Sequence, residues 1–437
     1  MTLLRRLFRL APKAAPGSLE QHEYANWTKQ RLVERVLELE HERKRGCEVD
    51  TDQAEHVSKK PKTKSTKRLN NKKKQREFDF SRHDTRFIAL KFSYLGWNYN
   101  GLAVQKEETP LPTVEGLILE ALYNCKLIPS LVTQDFNFSR CGRTDRGVSA
   151  MNQVISLNVR SNLTYEEQND CNNDASEIPY LKILNHVLPD DIKISAVCLR
   201  PPAKFDARFS CQFRHYKYLF HAKDLDLGRM AEAAKLFEGE HDFRNFCKLD
   251  GSKQITNFKR NISNSKIMHM EGQLYCFDLI GSAFLWHQVR CMMASLFLVG
   301  QKLEEPSLIS DMLNVEVYEA KPIYDMASDL PLILYDCGFP DMEWQTSGLM
   351  ESKSYQTTRT TNSLVLNYEI KSCIAKQFGV AQRLVPGPHS DRVCINVGDG
   401  KGKLVKNYQK MQNRDRMDSA ESVNQKFREK RSQRNKN

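Results

Sequence analysis

The sequence has no pair of cysteines spaced C-x-x-C, although it contains 12 cysteines. Scattered cysteines favour a reducing compartment, and their spacing argues against a zinc site. His215 and His221 lie near Cys211 along the chain, but this spacing fits no common set of metal ligands. The sequence therefore predicts no metal site.

Long apolar segments are also missing. No run approaches the roughly 20 residues that a membrane-spanning helix needs, so no membrane partner is predicted. Residues 398–403 are rich in glycine and lysine, but they lack the GxxxxGK[ST] spacing of a phosphate-binding loop. With no such motif, the sequence predicts no small-molecule cofactor.

Positive charge is concentrated in three segments outside the central part of the chain. The formal net charge is +12, but residues 1–19, 59–76 and 401–437 carry +4, +10 and +8, which leaves −10 for the rest. A body with negative net charge must bind a polyanion through a local basic patch rather than through its overall field.

The most informative segment is residues 139–150, which read SRCGRTDRGVSA. A single carboxylate, Asp145, stands among Arg140, Arg143 and Arg146, with a glycine on either side. Glycine lets the backbone take positive φ or approach a ligand closely, and nearby cations should keep Asp145 ionised at neutral pH. Two interpretations stay open: a salt-bridged surface loop, or a carboxylate nucleophile surrounded by groups that bind phosphate.

Hydrophobic periodicity predicts a mixed α+β fold. Apolar residues at strand spacing predict strands, at residues 87–94, 152–159, 213–220 and 274–280. Apolar residues at helical spacing predict helices, at residues 114–125, with Thr113 as the N-cap, and at residues 285–298. A strand directly after the 139–150 loop would hold Asp145 at the edge of a sheet, where catalytic groups are often placed.

The segment CGRTDRGVSA resembles the signature loop of the TruA-type tRNA pseudouridine synthases, most closely the eukaryotic branch that modifies tRNA positions 38 and 39. Ser149 stands where much of the family has histidine, and Arg146 where lysine is common, but the serine form is typical of that branch. Further family motifs follow in order over residues 86–340: YxGxxYxGxxxQ from Tyr94, LPxDI from Leu188, FxARxS…RxYxY from Phe205, GxHDFxxF from Gly239 and FLxxQVR from Phe284.

This resemblance implies an α+β fold of two ferredoxin-like (RRM-like) lobes whose antiparallel sheets join, with a central basic cleft and disordered basic tails. We expect an N-terminal extension at 1–85, catalytic lobes at 86–199 and 200–340, and a C-terminal extension at 341–437. The first extension contains a predicted helix at 27–45. The last one should begin as a polar linker at 345–363, continue as a helix at 364–378, and end basic and disordered.

The resemblance also implies a tRNA substrate and the isomerisation of uridine to pseudouridine without a cofactor. It assigns Asp145 as the catalytic nucleophile, Tyr216 as the ring that stacks on the flipped uracil, and Arg290 as the ion-pair partner of Asp145. Four arginines are predicted to bind RNA: Arg140, Arg143, Arg208 and Arg214. The target base must leave its stack first, which costs a few kcal/mol. Attack at the sugar C1′ and attack at the base C6 both stay open.

Other functions stay open at this point. The chain could be a pseudouridine synthase with other or broader tRNA sites, or a non-catalytic RNA-binding protein on the same fold. An aspartyl-phosphate enzyme is disfavoured, because such enzymes usually place further carboxylates near the nucleophile for Mg²⁺, whereas this loop supplies arginines. The family resemblance also predicts a homodimer.

The terminal segments suggest where the protein works. Residues 1–18 are arginine-rich and free of acid, as in a mitochondrial leader; a plain basic tail is the alternative. Residues 59–76 are typical of a nuclear localisation signal or an RNA-binding arm. We therefore expect nuclear and cytoplasmic protein with a mitochondrial pool.

Overall fold

The structure, a computed structural model, describes residues 78–346, 352–382 and 392–434 together with Arg31, with side chains omitted at 352–357. The chain divides into two units, Met1–Gln75 and Arg76–Asn437. The predicted leader at 1–18 and the basic run at 59–76 lie outside the described residues. So does the predicted helix at 27–45, apart from Arg31.

Strands and helices alternate through the second unit. The strands are β1 (Thr85–Tyr94), β2 (Ser139–Arg140), β3 (Ser149–Arg160), β4 (Ile192–Cys198), β5 (Phe213–His221), β6 (Gly239–Asp242), β7 (Lys259–Glu271), β8 (Leu274–Gly281), β9 (Leu332–Gly338), β10 (Gln345–Thr346), β11 (Val393–Ile395) and β12 (Lys403–Val405). The helices are α1 (Val114–Asn124), α2 (Tyr180–Val187), α3 (Leu227–Lys235), α4 (Gln288–Gly300), α5 (Leu308–Leu313), α6 (Ser352–Ala381) and α7 (Ala420–Arg434).

One large sheet runs through the unit in the order β10-β4-β1-β3-β9-β5-β8-β7-β6, with β2 paired to β3. Its strand pairs are antiparallel except for β3 and β9, which run parallel through the pairs Ser149–Ile333 and Ala150–Leu334. This short junction joins two antiparallel halves. The sequence predicted joined antiparallel sheets but not a parallel junction. Residues 161–331 separate the two strands, so no tight turn fixes their relative direction.

Two hydrophobic cores pack against the sheet, one in each half. Ile88 of β1 and Leu122 of α1 lie in the first core. Phe277 of β8 and Met292 of α4 lie in the second. Tyr216 of β5 packs against both cores. The two halves therefore meet around β5, β9 and β3.

Helix α4 is buried almost all round. Every residue from Gln288 to Gly300 is buried except Arg290, as expected of a helix that is apolar on all faces. It begins three residues later than predicted, because His287 precedes it in the left-handed conformation with φ 61°. In the described parts of the chain, no helix combines the length and apolar character needed to cross a membrane.

The elements around the predicted site are confirmed. The four predicted strands are β1, β3, β5 and β8, with ends within three residues of those expected. Helix α1 has the predicted N-cap, since Thr113 Oγ1 accepts the Gly116 N–H at 3.2 Å. The α+β class with a mostly antiparallel sheet is confirmed as well.

The C-terminal segment is more ordered than its composition indicates. Its residues 392–434 include β11, β12 and α7, and Met411 and Ala420 are buried in the second core. The carboxylate of Glu304 accepts the Tyr408 hydroxyl at 2.6 Å and the Met411 N–H at 2.7 Å. The predicted disorder is therefore wrong here, because a few buried anchors outweigh the high charge. The predicted linker at 345–363 is likewise helical from the start of α6.

Gly96 tests how tightly the first half holds the 139–150 loop. A Cβ at this position would overlap the backbone carbonyl of Val148. We expect Gly96→Ala to destabilise the protein by at least about 2 kcal/mol in urea unfolding, as overpacking against a rigid backbone does. Gly379→Ala is the control, because a Cβ there meets nothing within 4 Å. Equal midpoints for the two variants would show that the loop is free to move.

Candidate active site

Asp145 lies in the loop of a hairpin between β2 and β3. Pairing of Ser139 with Ser156 and of Arg140 with Ile155 starts this hairpin. The Val148 N–H donates to the Asp145 carbonyl at 3.2 Å, and Gly147 has φ +82°. A positive φ at the third position of a turn needs glycine. The signature sequence therefore encodes a tight turn that begins at the aspartate.

The loop is fixed from below by the YxGxxYxG segment. The Tyr94 hydroxyl hydrogen-bonds to Thr144 Oγ1 at 2.6 Å, and the Leu102 N–H donates to the Thr144 carbonyl at 3.3 Å. The Gly96 N–H donates to Ser149 Oγ at 3.0 Å. Ser149 thus receives a backbone hydrogen bond, so its role here is structural.

Two side chains at the start of α4 contact the Asp145 carboxylate. Trp286 Nε1 donates to Oδ1 at 3.3 Å, and His287 Nε2 lies 3.2 Å from Oδ2. The Asp145 side chain keeps 29% of its surface exposed. Both carboxylate oxygens are therefore oriented by ring nitrogens while part of the group stays open to a substrate.

His287 contacts Asp145 as a neutral ring. Burial lowers the pKa of His287, partly offset by the Asp145 charge, and Arg290, Lys248 and Lys321 lower it further. Its Nδ1 is buried and has no hydrogen-bond partner within the part of the chain that the structure describes. A proton on Nδ1 would be an unsatisfied buried donor, so the proton belongs on Nε2, facing the carboxylate.

The predicted ion pair between Asp145 and Arg290 is not formed in the described part of the chain. Arg290 Nε donates instead to the Ala327 carbonyl at 2.7 Å, and the Ala327 N–H donates back to the Arg290 carbonyl at 3.1 Å. His287 and Trp286 precede Arg290 by about one helical turn and occupy the carboxylate. Arg290 acts electrostatically, since its charge lowers the pKa of His287.

Tyr216 lies on β5, close enough to Asp145 to feel its charge. Its half-buried ring meets Phe284 edge-on, with ring centroids 5.0 Å apart. Burial raises the pKa of Tyr216 well above its ordinary value, and the negative charge of Asp145 also raises it. The phenol therefore stays protonated at neutral pH.

Arg140 and Arg214, both predicted to bind RNA, make contacts within the protein. Arg140 forms a two-point ion pair with buried Glu115, at 2.5 and 3.0 Å. Arg214 Nη2 donates to the Cys141 carbonyl at 2.8 Å and its Nη1 to the Ser282 carbonyl at 3.0 Å. These two arginines fix the residues on the N-terminal side of the Asp145 loop, Arg140 itself and Cys141.

The other arginines of this region face solvent. Arg143, Arg146 and Arg208 are exposed. Arg208 stacks over Phe209, with its guanidinium carbon 5.3 Å from the ring centroid, and Phe209 is 80% exposed. Exposed guanidinium groups beside an exposed aromatic ring are typical of surfaces that bind single-stranded nucleic acid.

Sequence reasoning missed Trp286 and His287 as site residues. Both stand inside the FLxxQVR motif, of which only the arginine received a role. Lys248 and Lys253 lie over the Trp286 ring at 4.6 and 5.5 Å from its centroid. The sequence does show two side chains with ring nitrogens just before a predicted helix. Their proximity to Asp145 is visible only in the folded structure.

Comparisons with known proteins identify the family of this chain. A family model described as tRNA pseudouridine synthase matches residues 233–340. The chain is 56% identical over 413 residues to the tRNA pseudouridine(38/39) synthase of Saccharomyces cerevisiae, covering 94% of this chain and 93% of the relative.

More distant relatives extend the match. The human tRNA pseudouridine(38/39) synthase is 43% identical over 336 residues, which cover 72% of this chain and 67% of that protein. The tRNA pseudouridine synthase A of Methanosarcina acetivorans is 33% identical over 232 residues, covering 53% of this chain and 77% of the relative. With an aspartate loop, an aromatic strand and relatives of this kind, the chain belongs to the TruA-type family of tRNA pseudouridine synthases.

Proposed function

We propose that this protein isomerises uridine to pseudouridine at positions 38 and 39 of tRNA, with Asp145 as the nucleophile. The observation that carries the proposal is the Asp145 carboxylate, which accepts the Trp286 N–H, contacts His287 Nε2 and is still partly exposed. Relatives of high identity over most of the chain are named for this reaction and these positions. The assignment of positions 38 and 39 rests on these relatives.

The reaction breaks the bond between uracil N1 and the sugar C1′ and forms a bond between C5 and C1′, with the C5 proton lost and N1 protonated. It is redox-neutral and needs no cofactor. An anionic nucleophile at C1′ or C6 holds the intermediate covalently, which splits one difficult step into two easier ones. Asp145 has the position and exposure for this task.

Neutral donors suit a carboxylate nucleophile. A cation in direct contact would delocalise the negative charge and compete with the electrophile. Trp286 instead donates a weaker hydrogen bond to one oxygen, and neutral His287 lies against the other. We infer that Arg290 supports this arrangement from one helical turn away. Its Nε donates to the Ala327 carbonyl, and its charge lowers the pKa of His287, which favours the neutral ring. His287 and Arg290 are thus positioning residues.

Tyr216 is proposed as the platform for the flipped uracil. Its ring is half-buried beside Asp145 and is itself supported edge-on by Phe284. Stacking of a base on an aromatic ring contributes about 1–3 kcal/mol. Because its pKa is raised by burial, the neutral phenol can donate a hydrogen bond, and a phenolate that removes the C5 proton is disfavoured.

We propose that Arg143 and Arg208 contact RNA phosphates directly, together with Arg146. All three are exposed around the loop, and guanidinium groups bind phosphate bidentately. Arg140 and Arg214 support RNA binding indirectly, through Glu115 and the Cys141 carbonyl that fix the loop.

Three wider expectations stay proposals. Each half of the sheet carries its own core and helices, which supports the proposal of two ferredoxin-like lobes around a basic cleft. We also propose a homodimer, which light scattering at working concentration can test. A nuclear and cytoplasmic protein with a mitochondrial pool is proposed from the basic segments at 1–18 and 59–76.

Asp145→Asn should abolish the reaction. Removing a covalent nucleophile costs on the order of 10⁴-fold or more in kcat, while the amide keeps the shape of the carboxylate. Pseudouridine mapping on unmodified tRNA transcripts should give signal at positions 38 and 39 with the natural protein alone. Pseudouridine at other tRNA positions would keep the reaction but assign the enzyme to a different group of target sites. No signal while tRNA stays bound would favour a non-catalytic RNA-binding protein.

His287→Ala should lower kcat by about tenfold to a hundredfold, the value of one hydrogen bond to a charged group. KM should change little, because His287 contacts the nucleophile rather than RNA. His287→Gln retains an N–H donor and should recover part of the loss. His269→Gln, at an exposed position, is the control. A large rise in KM with unchanged kcat would assign His287 to substrate binding instead.

Single Ala variants of Arg143, Arg146 and Arg208 should weaken tRNA binding and flatten its salt dependence. Each lost phosphate contact removes about 0.7–0.9 from the slope of log affinity against log salt. Arg82→Ala is the control. Arg82 precedes the first residue of β1, and Tyr94, the last residue of this strand, contacts the loop. The rise along the strand places Arg82 about 30 Å from the loop. An unchanged slope for all three variants would place the RNA elsewhere.

A further inference from the structure

Three cysteines that are far apart in the sequence come together behind the Asp145 loop. The Sγ atoms of Cys141, Cys211 and Cys337 all lie within 4.8 Å of one another. Spacing along the chain predicted no metal site, because the three residues belong to different segments. The fold creates the cluster, so its chemistry can be judged only from the structure.

Each cysteine is positioned by the sheet. Cys141 follows β2, and its N–H donates to the Val154 carbonyl of β3 at 2.9 Å. Cys337 lies on β9 opposite Arg214 of β5. Cys211 precedes β5, where the next residue donates its N–H to the Gly338 carbonyl at 2.9 Å. The cluster therefore sits where β2, β5 and β9 meet.

The cluster is enclosed but has one open side. Cys141 and Cys337 are 1% and 3% exposed, whereas Cys211 is of intermediate exposure. An ion or a water molecule can therefore approach from the Cys211 side. The guanidinium of Arg214, which donates to the Cys141 carbonyl at 2.8 Å, supplies a positive charge beside the sulfurs.

Sulfur is the metal ligand in its thiolate form. The Cys211 thiol donates to the Phe213 carbonyl at 3.2 Å. This proton leaves when an ion binds, and the nearby positive charge of Arg214 favours the resulting thiolate.

We propose that Cys141, Cys211 and Cys337 bind one divalent ion of the zinc group, Zn²⁺ or Cd²⁺, through their three sulfurs. Zinc–sulfur bonds of about 2.3 Å place three sulfurs about 4 Å apart, so atoms already within 4.8 Å need to move little. Soft thiolates select such ions over Mg²⁺ and Ca²⁺. A fourth position remains for water on the Cys211 side.

Charge balance supports a divalent ion. Three thiolates and one divalent cation carry a net charge of −1, which Arg214 offsets. A monovalent ion would leave a net charge of −2 at a largely buried site, at a greater cost in desolvation. Binding replaces thiol protons, so affinity falls as the pH falls.

The bound ion would connect the Asp145 loop to the second half of the sheet. Cys141 belongs to the loop, and Cys337 lies on β9, which forms the parallel junction with β3. Because such a site is assembled only in the folded chain, ion binding stabilises the folded state. Its role is to position the loop rather than to act on the substrate.

The test uses the full-length protein, reduced with a non-thiol phosphine and freed of metal. Titration with Co²⁺ should give a sulfur-to-cobalt charge-transfer band and the visible bands of tetrahedral cobalt, saturating at one equivalent. Zn²⁺ should displace the cobalt and raise Tm. Cys211→Ser should lower affinity by at least about 100-fold, more than the loss of an outer contact to a metal site causes. Cys125→Ser, of the same intermediate exposure, should bind as the natural protein does.

Three outcomes would overturn the proposal. One is the lack of a charge-transfer band in the natural protein at saturating Co²⁺. A second is an equal band in Cys211→Ser, which would place the ion elsewhere. The third is a disulfide between two of the three cysteines that persists in peptide mass spectra of the metal-free protein after phosphine treatment, with no cobalt bound. The natural protein's own spectrum decides the matter even if a variant fails to fold.

Discussion

The parallel pairing of β3 with β9 is the constraint on which the site depends. It involves only Ser149–Ile333 and Ala150–Leu334, and it begins four residues after Asp145. The signature loop spans this junction, since Cys141 lies in the first core and Val148 in the second. Asp145 is therefore held by both halves of the sheet, and its contacts with Trp286 and His287 depend on their relative placement.

The second determinant is the local electrostatics of the carboxylate. Arginines surround Asp145 in the sequence, yet in the described structure the groups that contact its oxygens are Trp286 and neutral His287. Arg140 and Arg214 hold the loop backbone and its flanking strand, and Arg143 and Arg146 are exposed. The arginines of one region thus divide between structural contacts and exposed positions.

The sequence predicted correctly those features that depend on residues close together in the chain. Strand β1, helix α1 with its Thr113 cap, and helix α4 follow from side-chain periodicity and a capping hydrogen bond, and their predicted positions are confirmed within a few residues. The turn at Asp145 follows from Gly147, which has φ 82°. These features depend on residues close in the chain, and a sequence contains that information directly.

Long-range contacts account for what the sequence did not show. The contact of His287 with Asp145 and the meeting of Cys141 with Cys337 join residues far apart in the chain. The predicted ion pair between Arg290 and Asp145 was wrong. His287, in the left-handed conformation just before α4, places its ring against the carboxylate instead. The order of the C-terminal segment depends on Glu304 and a few buried side chains. The overall composition of the segment does not reveal them.

A crystal structure with an anticodon stem-loop RNA, captured with the target uridine flipped, tests the central claim most directly. The account predicts an Asp145 carboxylate oxygen about 3–3.5 Å from C1′ or C6 of that uridine, the range of a reactive contact. It also predicts that Trp286 and His287 still donate to the carboxylate, with the uracil stacked on Tyr216. A different carboxylate at the reacting carbon, or Asp145 turned away from His287 to pair with Arg290, would contradict it.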